Sequence, residues 1–209
     1  MSDSASPTLT SITQQWVRSA RKGDADGFAR LYEHIAPAVF AWANLRMGAD
    51  QRALLEPADL VQEVWLRAWR RVDDYDAEEI PFRFWVFRIA KNVLFEAGRE
   101  AQKPERRRRL RADPSRPSDP LDGVADSVSA VSRRLAKDEV LAQFREAVEA
   151  LPEDDRRLVV HCGLEGLPLR TVAERLEISE EAATKRWQRL RQRLRTSGLP
   201  AHLLAEDAE

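Results

Sequence analysis

The chain has 209 residues, 34 of them basic and 35 acidic, for a formal net charge of −1, with eight glycines, one cysteine and 43% apolar residues. That length holds two small domains but no large single core, and the lone Cys162 excludes an internal disulfide or a cysteine-built zinc site. The near-zero total charge does not exclude nucleic-acid binding, because acidic and basic residues are segregated along the chain.

Scarce glycine and abundant helix formers predict an all-α fold of two small helical domains joined by a flexible linker. The opening MSDSASPTLTSITQQW has neither a basic region nor an apolar core of a signal peptide, and no apolar run is long enough for a bilayer span. With one cysteine, the expectation is a cytoplasmic protein.

Residues 1–9 are Ser- and Thr-rich and read as a disordered start to the chain. A helix is expected from near Thr10, with Ile12, Trp16, Val17 and Ala20 on one side. Gly23-Asp24 ends it, and Asp24 or Asp26 caps a second helix carrying Phe28, Leu31, Tyr32 and Ile35. Pro37 marks a bend or kink before Val39, Phe40, Trp42 and Leu45 continue the pattern. Residues 47–57 are a connection with a short helical turn around Gln51 to Leu54.

Asp59 to Gly98 is the most informative stretch. Leu60, Val61, Val64, Trp65, Ala68 and Val72 recur at helical spacing, opposite Asp59, Gln62, Glu63, Leu66 and Arg70. A solvated face and a docking face for a basic partner both fit that second set. An acidic turn, Asp73 to Pro81, leads into a helix from Phe82 to Ala97. Its core stripe is Phe82, Trp85, Val86, Ile89 and Val93, and its reverse side interleaves Phe84, Phe87, Arg88, Lys91, Leu94 and Phe95. Burial on several sides is one reading; rings stacking on unpaired bases beside phosphate-binding cations is the other.

From Arg99 the composition shifts to four prolines, the basic run Arg106 to Arg109 and acidic residues toward Asp126. A linker over 100–131 is expected, spanning on the order of 30 Å as a random coil. Helical pattern resumes at 132 with Leu135, Val140, Leu141, Phe144 and Val148, and Pro152 opens a further helix with acids in its first turn. His161-Cys162 lacks further ligands at suitable spacing and reads as a packed helix end.

Leu169 to Leu176, a turn at Glu177-Ile178, and Ser179 to Arg195 have helix-turn-helix proportions, with Ser179 as N-cap. Ala183, Trp187, Leu190 and Leu194 form the buried stripe; Glu181, Ala182, Lys185, Gln188, Arg189 and Gln192 face away, flanked by Thr184 and Arg186. Lys, Arg and Gln on one exposed helical face suit guanine edges, adenine edges and phosphates in a major groove. A solvated amphipathic helix is the competing reading.

DLVQEVWLR followed by FRFWVFRIAKN closely resembles region 2 of bacterial sigma-70 family factors of the extracytoplasmic-function (ECF) type. LPEDDRRLV…GLEGLPLRTVAERLEIS…RLRQRLR resembles their region 4. The resemblance implies region 2 over 10–99, region 4 over 132–199 and a tail over 200–209. It implies that Asp59, Gln62, Glu63 and Leu66 bind core RNA polymerase, contacting its beta and beta-prime subunits. It implies that Asp73, Asp74, Tyr75, Asp76, Phe84, Phe87, Arg88, Lys91 and Asn92 capture and melt the −10 promoter element, with a flipped base held at the acidic turn. It further implies that Glu181, Thr184, Lys185, Arg186, Gln188, Arg189 and Gln192 read the −35 element. An anti-sigma factor follows as an expected partner, and no cofactor, metal or catalytic residue is expected.

Two departures from the pattern bear on function. Ala58 stands where the family usually has an acid, so the polymerase face is one charge poorer. Glu177 stands where the turn glycine is usual; a left-handed backbone there costs about 1 kcal/mol for glutamate. The alternative to a sigma factor is a stand-alone helix-turn-helix regulator with an N-terminal sensing bundle. A nuclease built on Mg²⁺ held by the acidic turn lacks the remaining parts of a phosphoryl-transfer site.

Overall fold

The computed structural model describes residues 9–102, 130–197, 200 and 203–205, and among them there is no strand. The linker expected over 100–131 and the disordered start expected over 1–9 fall almost wholly outside the described residues.

Helix α1 (Leu9–Arg21) lies against α2 (Ala25–Arg46). Asp24 is the N-cap, accepting from the backbone N–H of Asp26 at 3.0 Å. Gly27 marks the closest approach: a Cβ there would lie 2.6 Å from the Cβ of Ser19, so only glycine lets α1 sit this near. Pro37 lies inside α2, which runs on to Arg46 and buries Trp42 completely. A one-turn helix, α3 (Ala49–Arg52), leads to α4 (Pro57–Arg70), which begins with proline where no intrahelical donor is needed.

The predicted stripe of α4 is buried in full: Leu60, Val61, Val64, Trp65, Ala68 and, just beyond the helix, Val72. It packs on α2 and on α5 (Phe82–Ala101). Phe28, Tyr32 and Phe82 ring Trp65, whose indole N–H has no acceptor among the described residues.

In the second half, a helical stretch over 130–135 precedes α6 (Glu139–Glu149), capped by Asp138. α7 (Glu153–Leu158) then widens into a π-helical segment, Val159–Leu164. α8 (Leu169–Arg175) and α9 (Glu180–Thr196) form the helix-turn-helix, with Ser179 accepting from Ala182 N–H at 3.2 Å.

The two halves pack together. α6 and the π-helical segment both rest on α2, and the Tyr32 and Ser132 hydroxyls share a 2.6 Å hydrogen bond across the junction. Burial pushes the Tyr32 phenol up to about 12, so it stays a neutral partner there. One continuous core runs from Val17 to Leu204.

Candidate nucleic-acid interface

The α4 face is the simplest to build. With its apolar stripe committed to the core, Asp59 is left exposed and Gln62, Glu63 and Leu66 half-buried at the helix surface. Glu63 accepts from Arg67 Nε at 2.8 Å, and Arg67 in turn pairs with Glu96 of α5 at 2.8 Å. The hydrogen bond to Arg67 holds the Glu96 carboxyl below its usual range.

The turn between α4 and α5 needs one correction. Asp73, Asp74 and Asp76 are exposed, Asp74 beside Arg71 at 3.4 Å and Asp76 accepting from Glu78 N–H at 2.8 Å. Tyr75, expected as a ring free to stack on a base, is instead 2% exposed. It packs on Phe82 and Trp85 and donates to Ile80 O at 2.9 Å, so it shapes the turn from beneath. The apolar neighbours available on α5 outweigh solvent for a ring this close to the helix start.

On α5 the expected platform is divided. Arg88, Asn92 and Phe95 are exposed, with the Arg99 guanidinium over the Phe95 ring at 5.8 Å, and Phe84 is half-buried against the core. Phe87 is a second correction: it is fully buried, edge-on to Trp42 and beneath the Arg83 guanidinium. Lys91 is occupied, its Nζ 2.6 Å from Glu165 Oε2.

That carboxylate comes from the second half of the chain. Glu165 is completely buried, accepts from Trp42 Nε1 at 2.8 Å and lies 3.1 Å from His161 Nδ1. Burial drives its pKa upward, but hydrogen bonds from His161 and Lys91 and their charge outweigh burial and hold it at about 2. Arg83, also on α5, donates to the backbone carbonyls of Leu164 (2.8 Å), Gly163 (3.4 Å) and Leu203. Desolvation pulls its guanidinium down to about 10. Neither Glu165 nor Arg83 stands out in the sequence; the only signal is a lone acid among leucines and glycines in G-L-E-G-L.

On α9, Ala183, Trp187, Leu190 and Leu194 are buried, and Glu181, Lys185, Gln188, Arg189 and Gln192 are exposed. An open groove of about 820 Å³ is lined by Gln188, Arg191, Gln192, Arg195 and Thr196. Lys185 pairs with Glu181 at 2.6 Å, and Thr184 Oγ1 donates back to Glu180 O at 2.9 Å. Arg186 is a third correction: it pairs with Asp154 at 3.4 Å and with Asp155, tying α9 to α7 rather than reaching outward. Glu177 stands at φ 56, the only described residue other than glycine with a left-handed backbone. Cys162 is buried, its thiol pushed up to about 12 by burial and by Glu165, as a packed helix end requires.

The sigma-70 region 2 family model matches residues 31–103, and the sigma-70 region 4 model matches residues 141–194. The ECF RNA polymerase sigma factor BldN of Streptomyces coelicolor is 33% identical over 78 residues, 37% of this chain and 28% of that protein. SigL of Mycobacterium tuberculosis is 29% identical over 128 residues, 61% of this chain and 68% of its own. SigK of Mycobacterium sp. strain KMS is 24% identical over 173 residues, 81% and 82% of the two chains. A solved chain from the complex of CnrH with the cytosolic domain of CnrY aligns over 89% of this chain and 96% of that one, at 22% identity and a TM-score of 0.41. With both regions matched in order, the chain belongs to the sigma-70 family of RNA polymerase sigma factors, ECF type, the factors that direct polymerase to promoters.

Proposed function

We propose that this sigma factor docks on core polymerase through the α4 face, captures the −10 element with the acidic turn and α5, and reads the −35 element with α9. The observation that carries the reading is α9: a fully buried apolar stripe forces Lys185, Gln188, Arg189 and Gln192 onto one open face. Such a face offers guanine and adenine edges bidentate partners worth about 1–3 kcal/mol each. Tyr75 and Phe87 act as supports in this structure, leaving Asp73, Asp74, Asp76, Phe84, Arg88 and Asn92 for the −10 strand. Arg186 orients α9 rather than reading it.

The docking partners are the beta and beta-prime subunits of core polymerase, with promoter DNA as the second ligand. An anti-sigma protein is proposed as the regulatory partner, supported by family membership. A cytoplasmic site of action is proposed from membership of the family; among the described residues no helix is long and apolar enough to cross a membrane. The work done is binding and strand capture, with no catalytic residue, cofactor or metal assigned.

The test is binding of the full chain to purified bacterial core polymerase, wild type against Asp59→Arg. Tight wild-type binding that falls at least about tenfold in the variant, a loss of about 1.4 kcal/mol, supports the docking face. Equal binding of the two proteins places the contact elsewhere and overturns it.

A further inference from the structure

The acidic turn between α4 and α5 gives nearly all its side chains to solvent. From Asp73 to Glu79 only Tyr75 is buried, and Val72, just before, is the other inward anchor. The directions of the Asp73, Asp74 and Asp76 carboxylates therefore follow from the backbone that these two anchors hold. Two backbone hydrogen bonds shape it from within, Asp74 N–H to Arg71 O at 3.0 Å and Tyr75 N–H to Val72 O at 3.4 Å. A single 3-10 turn, Val72–Asp74, is a weak support by itself.

The bracing comes from α1. Arg21, its last residue, donates from Nε to Val72 O at 3.1 Å, and its guanidinium carbon lies 5.8 Å from the centre of the Tyr75 ring. One side chain thus touches both anchors. The turn carries five carboxylates, yet Arg21 pairs with none of them among the described residues. It is spent on a carbonyl and a ring, which leaves the acids to accept from a base amino group. Arg18, in the same last turn of α1, serves the helix dipole equally well; what sets Arg21 apart is its reach to a residue 51 positions on.

The base of this reach is well seated. Val17 and Ala20 are each 2% exposed, and a Cβ added at Gly27 would stand 2.6 Å from Ser19 Cβ and 3.1 Å from Trp16 O, so α1 lies closely on α2. Just past Arg21 the chain turns back, with Gly23 N–H donating to Ala20 O at 2.9 Å and Asp24 N–H to Ser19 O at 3.2 Å. On the other side of the anchor, burial holds the Tyr75 phenol above its ordinary value, so it stays the donor to Ile80 O.

We propose that Arg21 is a positioning residue for −10 capture: bonded to Val72 O and lying over Tyr75, it sets the direction in which Asp73, Asp74 and Asp76 meet the captured base, without touching DNA itself. This role rests on the proposed capture of the −10 strand by the acidic turn, and adds that α1 governs its base preference. An acceptor displaced by about 1 Å loses the geometry on which that preference depends.

The experiment reconstitutes the full chain with purified bacterial core polymerase and offers it short, fully randomised single-stranded DNAs. Sequencing the bound fraction gives the base preference at each position. Wild type is compared with Arg21→Ala, with Arg21→Met, which keeps the apolar stem, and with Arg21→Lys, which keeps a donor for Val72 O. The triple variant Asp73→Ala/Asp74→Ala/Asp76→Ala tests the turn itself. A thermal melt of each chain and affinity for the pool at low and high salt accompany the selection.

The expected result is that Arg21→Ala and Arg21→Met melt like wild type and lose about tenfold of the preference at the positions that the triple variant flattens. Overall affinity and salt dependence are kept, and Arg21→Lys restores most of the preference. A uniform loss at every position with a shallower salt dependence makes Arg21 a phosphate contact and overturns the positioning role. Unchanged preference in both loss variants, where the triple variant is flattened, overturns it while leaving the turn as the −10 site. If the triple variant keeps the wild-type preferences, the assignment of the turn to the −10 strand fails, and the role of Arg21 falls with it.

Discussion

Lys91 Nζ lies 2.6 Å from Glu165 Oε2, joining a helix of the region 2 half to the residue that follows the π-helical segment in the region 4 half. Glu165 is fully buried while Lys91 keeps a side-chain exposure of 37%, so the pair is asymmetric. A half-exposed lysine has an alternative in water or in a phosphate. A buried carboxylate stripped of its lysine retains Trp42 and His161 as its partners among the described residues. The cost of separation therefore falls on Glu165.

The packing of the two halves should depend on acid in a defined direction. The Glu165 carboxyl is held at about 2 against an ordinary value of 4.5. A depressed folded-state pKa contributes stability that is complete above the unfolded value and is lost as pH falls through the folded one. Energy transfer between the halves should hold constant above about pH 5 and decline toward pH 2. Lys91 and His161 are the charged or titratable groups bonded to this carboxylate, and Glu165→Gln should weaken packing at neutral pH and flatten the acid limb.

Replacing Glu177 by glycine should stabilise the helix-turn-helix. The residue sits at φ 56, where glutamate carries a steric penalty and glycine does not. Some of the gain is offset by the greater freedom of glycine in the unfolded chain, leaving roughly 0.5–1 kcal/mol. Chemical denaturation followed by the fluorescence of the C-terminal half measures it, and a destabilised variant would contradict the backbone geometry.

Arg186 and Arg189 should separate stability from recognition. Arg186→Ala removes the ties to Asp154 and Asp155 and should lower the melting temperature, by about 1 kcal/mol of stability, with a uniform rather than base-specific effect on duplex binding. Arg189→Ala should leave the melt unchanged and weaken −35 binding by about 1–3 kcal/mol if it reads a base. Base-selective loss from Arg186→Ala would reverse the assignment.

Gly163→Ala should be disproportionately damaging for a one-methyl change. The new carbon would meet Leu204 at 2.7 Å and Trp187 at 2.8 Å, both well inside ordinary contact. Overpacking of this kind costs about 1–3 kcal/mol, or expels Leu204 to relieve itself. Thermal unfolding read beside the energy-transfer measurement distinguishes strain from release.

The helices, their caps and their buried stripes were legible because each follows from local rules. Asp24, Pro57 and Ser179 announce helix starts, and the α4 and α9 stripes recur at helical spacing. The family resemblance was equally legible, being carried by long ordered motifs. What could not be read was which of two apolar faces of α5 the rest of the molecule would claim. Phe87 looks like part of an exposed platform on a helix considered alone, and Tyr75 like a free ring in an acidic turn; the first is buried edge-on to Trp42 of α2, and the second packs on Phe82 and Trp85. Arg186 was misplaced for the same reason: its acidic partners lie 31 and 32 residues upstream. Glu165 gave almost no warning, because a single acid between glycines and leucines ordinarily signals a surface turn.

The relay from Glu63 through Arg67 to Glu96 braces the surface of α4 against α5. On the docking face proposed above, side chains braced in this way would lose less conformational entropy on binding than freely rotating ones, which lose about 0.5–1.5 kcal/mol each. The family resemblance sets Ala58 where an acid is expected, leaving Asp59 and Glu63 as the carboxylates of that face. In the proposed complex, the bracing of Glu63 by Arg67 would offset that missing charge through the residence time rather than through the speed of encounter.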